Sequence, residues 1–165
     1  QKFFVQQKRK FLADYSITME LVEYLISIVK PTDAVLDLGA GFSSIILRQH
    51  VDDVMSADHD DVWLAFVREL LGERGLSQRD LVPIDVACRW PGPYDLICVD
   101  HGPTFQDRLN DLPWILAKGR RVIFDDCRLA FGDDLQKALI DADCLFEIHG
   151  ADRPFAVVTP SRYRS

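Results

Sequence analysis

The chain has 165 residues, 48% of them hydrophobic, with three Trp and ten Phe, which is the size and composition of one domain with its own core. Its formal net charge of −7 gives a surface field that repels a phosphate backbone, so no nucleic-acid partner is expected. No apolar run approaches the roughly 20 residues of a bilayer span, and the opening QKFFVQQKRK lacks a signal-peptide pattern; a soluble cytoplasmic protein with no membrane partner is expected.

Residues 1–17 are basic, aromatic and without clear period, and read as an arm or flap within a single domain spanning 1–165. There Phe3, Phe4, Phe11 and Tyr15 either cover a site or pack on the first helix. In TMELVEYLISIVK, Leu21, Val22, Leu25, Ile28 and Val29 share one face, Thr18 is the candidate N-cap and Pro31 ends the run. Strand-like apolar runs then recur: AVLDL (34–38), VMSA (54–57), LVPIDV (81–86), YDLICVD (94–100), RVIFDD (121–126), CLFEIHG (144–150) and FAVVTP (155–160). Between them, SSIILRQHV, DVWLAFVRELLGERG, FQDRLNDLPWILAKG and DDLQKALIDA carry helical spacing, with Gly75 and Gly119 expected in left-handed positions at helix ends. Alternation of strand and helix predicts an α/β, doubly wound, seven-stranded and mostly parallel sheet. The last two strands are separated only by ADRP, too short for a crossover, and are expected to form an antiparallel C-terminal hairpin. Cys88, Cys98, Cys127 and Cys144 show no CxxC spacing, which points to a reducing compartment and away from structural zinc.

The stretch VLDLGAGFSS puts Asp37, Gly39 and Gly41 directly after the first strand, where open α/β sheets bind ligands. A dinucleotide-binding loop wants a third glycine where Ser44 stands and no carboxylate at Asp37, so the charge favours a cationic ligand over a pyrophosphate. The second strand ends at Asp58, close to the distance at which an acid meets ribose hydroxyls, and the third is expected to end at Asp85. The pattern VLDLGAGFSS with SADHD, PIDV and YDLICVD resembles the class I S-adenosylmethionine-dependent methyltransferases, over nearly the whole chain, with their Rossmann-like fold. What the resemblance implies is S-adenosylmethionine as cofactor, with Gly39, Gly41 and Ser43 beneath its methionine and ribose parts and Asp37 supporting that loop. It further implies Asp58 on the ribose hydroxyls with His59 beside it, and Asp85 and Val86 at the adenine.

The fourth and fifth strands end in Asp100 and His101 and in Asp125 and Asp126. Carboxylates crowded in this way call for a cation among them, and a divalent ion such as Mg²⁺ would also acidify a bound hydroxyl. DLICVDHGP with FDDC is similar to the metal-dependent relatives of catechol O-methyltransferase, which implies Asp100, Asp125 and Asp126 as metal ligands. This chain departs from them in having Asp126 in place of an Asn and no lysine near Pro103, which leaves His101 as the candidate base. VDHGP, Arg108 and FDDCR also look like sugar-directed methyltransferases, which implies Asp100 or Asp125 as a metal-free base and Arg128 as a carboxylate-binding group. The leading expectation is methyl transfer to a hydroxyl of a small molecule or saccharide, by a protein that admits a homo-oligomeric state. A cofactor-binding module without catalysis and an NAD-dependent oxidoreductase are the alternatives.

Overall fold

The computed structural model describes residues 17–102 and 104–163; all but the last residue of the arm read at 1–17, and the lysine position at Pro103, lie outside them. Thr18 caps helix α1 (Met19–Ile28), its hydroxyl accepting from the Leu21 amide at 3.2 Å, and Leu21, Val22 and Leu25 form the buried face. Strand β1 (Ala34–Leu38) leads into α2 (Phe42–His50), β2 (Asp53–Asp58) into α3 (Asp61–Glu73), and β3 (Leu81–Pro83) into the short α4 (Ile84–Arg89). Then follow β4 (Tyr94–Val99), α5 (Phe105–Lys118), β5 (Gly119–Phe124), α6 (Leu129–Asp141), β6 (Leu145–His149) and β7 (Phe155–Thr159).

The seven strands form one sheet in the order β3-β2-β1-β4-β5-β7-β6. β1 through β5 pair in parallel, while β7 runs antiparallel to both β5 and β6. This is the doubly wound sheet with a terminal hairpin that the alternation of runs predicts. The chain winds outward from β1 to β3 and then returns to β4 on the other side of β1, so the order reverses between β1 and β4. Such a reversal opens a crevice beyond the carboxyl ends of those two strands.

Side-chain alternation along the strands distributes the core. On β1, Val35 joins Leu21, Leu25, Leu47 and Phe155 on the face covered by α1 and α2. Leu36 and Leu38 join Ile97, Ile115, Phe124 and Leu135 on the face covered by α5 and α6. Each large apolar side chain fully buried in this way stabilises the fold by roughly 1.5–3 kcal/mol. Asp37 has the parity of Val35, so a carboxylate is placed beneath the start of α2. None of the four cysteines is in a disulfide, and Cys98, Cys127 and Cys144 are buried.

Two local expectations are corrected. β3 stops at Pro83, and Asp85 and Val86 lie in α4, not at a strand end. Gly75 is left-handed, with φ +67°, but Gly119 is the first residue of β5 in extended conformation, φ −88°. A Cβ on Gly119 would meet Val122 Cγ2 at 2.8 Å, so close packing is what requires glycine there. Among the described residues, no helix is long and apolar enough to cross a membrane.

Candidate functional site

The crevice is built at the carboxyl ends of β1, β2, β4 and β5. Gly39 leaves β1 with φ +98°, and a Cβ there would overlap the Asp100 carbonyl at the end of β4. The loop is drawn against β2 by the amides of Gly39 and Ala40, which both donate to the Ala57 carbonyl, at 2.8 and 3.1 Å. Only glycine allows the chain to turn with that handedness so close to a neighbouring strand. Gly41 caps α2, its amide donating to Ser44 Oγ at 3.1 Å. Trp63 of α3 closes the far side by donating its indole N–H to the Ala40 carbonyl at 2.6 Å.

Asp37 is fully buried and accepts from Ser43 Oγ at 2.8 Å and Ser44 Oγ at 2.5 Å. Burial raises its carboxyl to about 6, against the pull of the two serine hydroxyls and of Arg48. The carboxylate therefore braces the loop from below. Ser44, where a dinucleotide loop would have its third glycine, is part of that brace.

Asp58 ends β2, buried, with the Asp60 amide donating to Oδ1 at 3.1 Å and His59 Nδ1 at 3.3 Å from the same oxygen. Burial raises its pKa. Asp60 caps α3 by accepting from the amides of Val62 and Trp63. Asp85 takes a different course: it stands in the first turn of α4, its side chain 69% exposed and 2.6 Å from Arg89 Nη2, with Val86 half-buried behind it.

Beyond β4 and β5, the acids are met by arginines. Arg108 Nη2 donates to Asp100 Oδ1 at 2.7 Å, while its Nε donates to the His101 carbonyl at 2.8 Å and its Nη1 to the Asp125 carbonyl at 3.0 Å. Arg153, from the β6–β7 turn, donates to Asp125 Oδ2 at 2.7 Å and lies 3.7 Å from Asp100 Oδ2. Arg128 grips Asp126 through Nε and through Nη2 at 2.9 Å. Burial and the adjacent Asp100 push Asp125 up to about 6, with Arg153 opposing. Burial raises Asp100 as well, against Arg108 and Arg153. Burial also acts upward on Asp126, but Arg128 and Arg153 outweigh it and its pKa is lowered. His101 is buried, its Nε2 2.8 Å from Asp111 Oδ2 and its Nδ1 without a hydrogen-bond partner; burial lowers its pKa, opposed by Asp111.

The metal expectation finds no support in this arrangement. Asp100, Asp125 and Asp126 are each paired with a guanidinium, and among the described residues no three His, Cys, Asp or Glu are grouped to hold an ion. The crowding argument was sound in asking for cations, and arginines supply them, so the residues present do not fit Mg²⁺. Asp37, Ser43, Asp100 and Asp125 line one small pocket beneath Leu21 and Leu25 of α1.

Arg153 and Asp111 escaped sequence reasoning. Arg153 meets a carboxylate 28 residues away from within a turn read only as a linker, and nothing local marks it. The Asp111 pairing does carry a signal: it lies ten residues after His101, two turns into a helix that starts beside it.

No protein-family model matches the chain, and no curated protein matches it. Solved structures do. The magnesium protoporphyrin IX methyltransferase of Synechocystis PCC 6803, with bound S-adenosylmethionine, is similar at 13% identity and a TM-score of 0.68, covering 95% of this chain and 91% of that one. The precorrin-6y C5,15-methyltransferase of Geobacter metallireducens GS-15 has 14% identity and a TM-score of 0.69, covering 90% and 91%. An rRNA methylase of Streptococcus thermophilus has 12% identity and a TM-score of 0.67, covering 88% and 98%. With the strand order, the reversed hairpin and the crevice on the page, these likenesses are ones of architecture: the chain has the fold of the class I S-adenosylmethionine-dependent methyltransferases.

Proposed function

We propose that this chain is a cytoplasmic S-adenosylmethionine-dependent methyltransferase that methylates a hydroxyl of a small molecule or saccharide. The observation that carries the reading is the loop Gly39–Gly41, pressed against Asp100 at Gly39 and bare of side chains at its two glycines, flanked by buried Asp37 and Asp58 at the ends of adjacent strands. The missing Cβ at Gly39 lets the loop turn tightly against the Asp100 backbone at the mouth of the crevice. In this reading the cofactor's methionine and ribose parts lie over Gly39 and Gly41, with Ser43 and Asp37 bracing the loop. Asp58 accepts from the ribose hydroxyls with His59 at the rim, and Asp85 and Val86 at the start of α4 meet the adenine. When bound, S-adenosylmethionine supplies a methyl group on a cationic sulfur, which suits an acidic crevice.

The remaining residues manage the acceptor. Asp125, its carboxyl raised to about 6 by burial and Asp100, is the candidate proton acceptor, because a base is most effective when its pKa lies near the working pH. Asp100, fixed by Arg108, keeps negative charge beside the reacting centre. His101, oriented through Nε2 by Asp111 with Nδ1 lacking a donor, is the second group able to hold the proton. Positioning of the hydroxyl in line with the methyl group supplies the rest.

The test is transfer of labelled methyl from S-adenosylmethionine to a panel of hydroxylated small molecules and saccharides, by the wild type and Asp125→Asn. Transfer that falls about 10²-fold or more in the variant, with cofactor affinity kept, supports the reading. Cofactor binding with no transfer to any acceptor identifies a binding module instead.

A further inference from the structure

Ala40 stands between two glycines, and glycine accepts either hand of backbone, so the loop's own sequence does not dictate how its peptide planes face. The surrounding fold does. The peptide joining Ala40 to Gly41 is trans, so its carbonyl and its N–H point in opposite directions. The carbonyl accepts from Trp63 Nε1 at 2.6 Å, and the N–H donates to Ser44 Oγ at 3.1 Å. This peptide is therefore gripped at both ends, by α3 on one side and by α2 on the other.

The grip from α3 reaches further. Asp58 Oδ1 accepts from the Asp60 amide at 3.1 Å, and Asp60 Oδ1 accepts from the amides of Val62 and Trp63 at 2.9 and 3.1 Å. The backbone that carries Trp63 is thus tied to the acid at the end of β2, while its indole is tied to the glycine loop at the end of β1. Buried Phe66 steadies the ring, the two ring centres being 5.2 Å apart. A continuous run of hydrogen bonds joins Asp58 to Asp37 through Asp60, Trp63, the Ala40–Gly41 peptide and Ser44.

We propose that Trp63 is a positioning residue for the cofactor: by fixing the Ala40–Gly41 peptide relative to Asp58, it sets the spacing between the part of the crevice that takes the ribose hydroxyls and the part that takes the amino-acid end. The inference rests on the cofactor reading above and deepens it. Trp63 acts through the loop and takes no part in proton transfer. Its effect falls on a ligand that must meet both parts at once and spares one that meets the nucleoside part alone. S-adenosylhomocysteine is of the first kind and adenosine of the second.

Trp63→Phe keeps a ring against Phe66 and removes the N–H. Wild type and variant are titrated with S-adenosylhomocysteine and with adenosine by NMR, which also reads millimolar affinities, and amide hydrogen exchange is followed in both proteins without ligand. The inference expects S-adenosylhomocysteine to bind the variant about tenfold more weakly, as for the loss of one hydrogen bond, with adenosine weakened less than about threefold. In the free variant the Gly41 amide should exchange about tenfold or more faster while the amides of β1 and β4 keep their rates, a local loosening that a general loss of stability would not give. Equal weakening of both ligands, no weakening of either, or acceleration spread through β1 and β4 overturns the inference. The wild-type Trp63 indole N–H should itself exchange slowly; rapid exchange there would mean that its bond to Ala40 is not kept, and overturns the inference without recourse to the variant. If the wild type binds neither compound, the cofactor reading falls and this inference with it, whereas a Gly41 amide that exchanges no faster in the variant overturns the positioning role alone.

Discussion

Asp37→Asn should make the protein more stable at neutral pH, although it alters a residue at the centre of the site. The wild-type carboxyl is fully buried and its pKa stands at about 6 against an ordinary 3.8, chiefly through burial. At about 1.4 kcal/mol per pH unit, that difference amounts to about 3 kcal/mol. The folded state holds this proton more tightly than the unfolded chain, so the stability contribution is full below about pH 4 and is lost as pH climbs through about 6. The groups facing the carboxyl are Ser43, Ser44, Arg48, Asp100 and Cys98, all retained in the variant. Asparagine resembles the protonated acid, so the two proteins should unfold alike in urea near pH 4 and diverge by about 3 kcal/mol in the variant's favour near pH 7.5. A stability difference that does not change with pH, or one that favours the wild type as pH rises, would refute the assignment of burial as the dominant influence.

Gly39→Ala combines a left-handed backbone with overlap on the Asp100 carbonyl, and should lower stability by roughly 2 kcal/mol or more and abolish cofactor binding, measured by urea unfolding and calorimetry. Arg108→Met removes the partner of Asp100 and two carbonyl contacts. It should cost about 1.5–3 kcal/mol in the same unfolding assay, because half-buried Asp100 loses its charged hydrogen bond while Arg153 remains 3.7 Å away, and two carbonyls lose their donor. Millimolar Mg²⁺ should leave the melting temperature unchanged, since arginines already occupy the three carboxylates; a saturable rise would show a cation site.

The architecture was legible because the central strands are largely buried on both faces and so read as short, nearly unbroken apolar runs, AVLDL and YDLICVD among them. The hairpin followed from the four residues of ADRP, a length that admits one connection only. The end of the third strand was not legible: LVPIDV is apolar but for Asp85, and the six residues of α4 are too few for helical period to separate from a strand. What marks that boundary is Pro83, whose missing amide suits the start of a helix better than a ladder. In the site, Asp37, Gly39 and Asp58 were found by their position after successive strands, a one-dimensional signal. Arg108 and Arg128 were named beside the fourth and fifth strands, but Arg153 was not, because it reaches Asp125 only once the antiparallel β7 brings its turn alongside β5. The demand for positive charge could be read from the sequence; its source depended on the fold.

The central claim is tested most directly by calorimetric titration of the wild type and Asp58→Ala with S-adenosylhomocysteine and S-adenosylmethionine. The account predicts saturable binding of both by the wild type and, with the loss of charged hydrogen bonds worth about 1.5–3 kcal/mol, affinity about 10- to 100-fold weaker in the variant. No heat of binding with either compound, from protein shown by its unfolding transition to be folded, would contradict it.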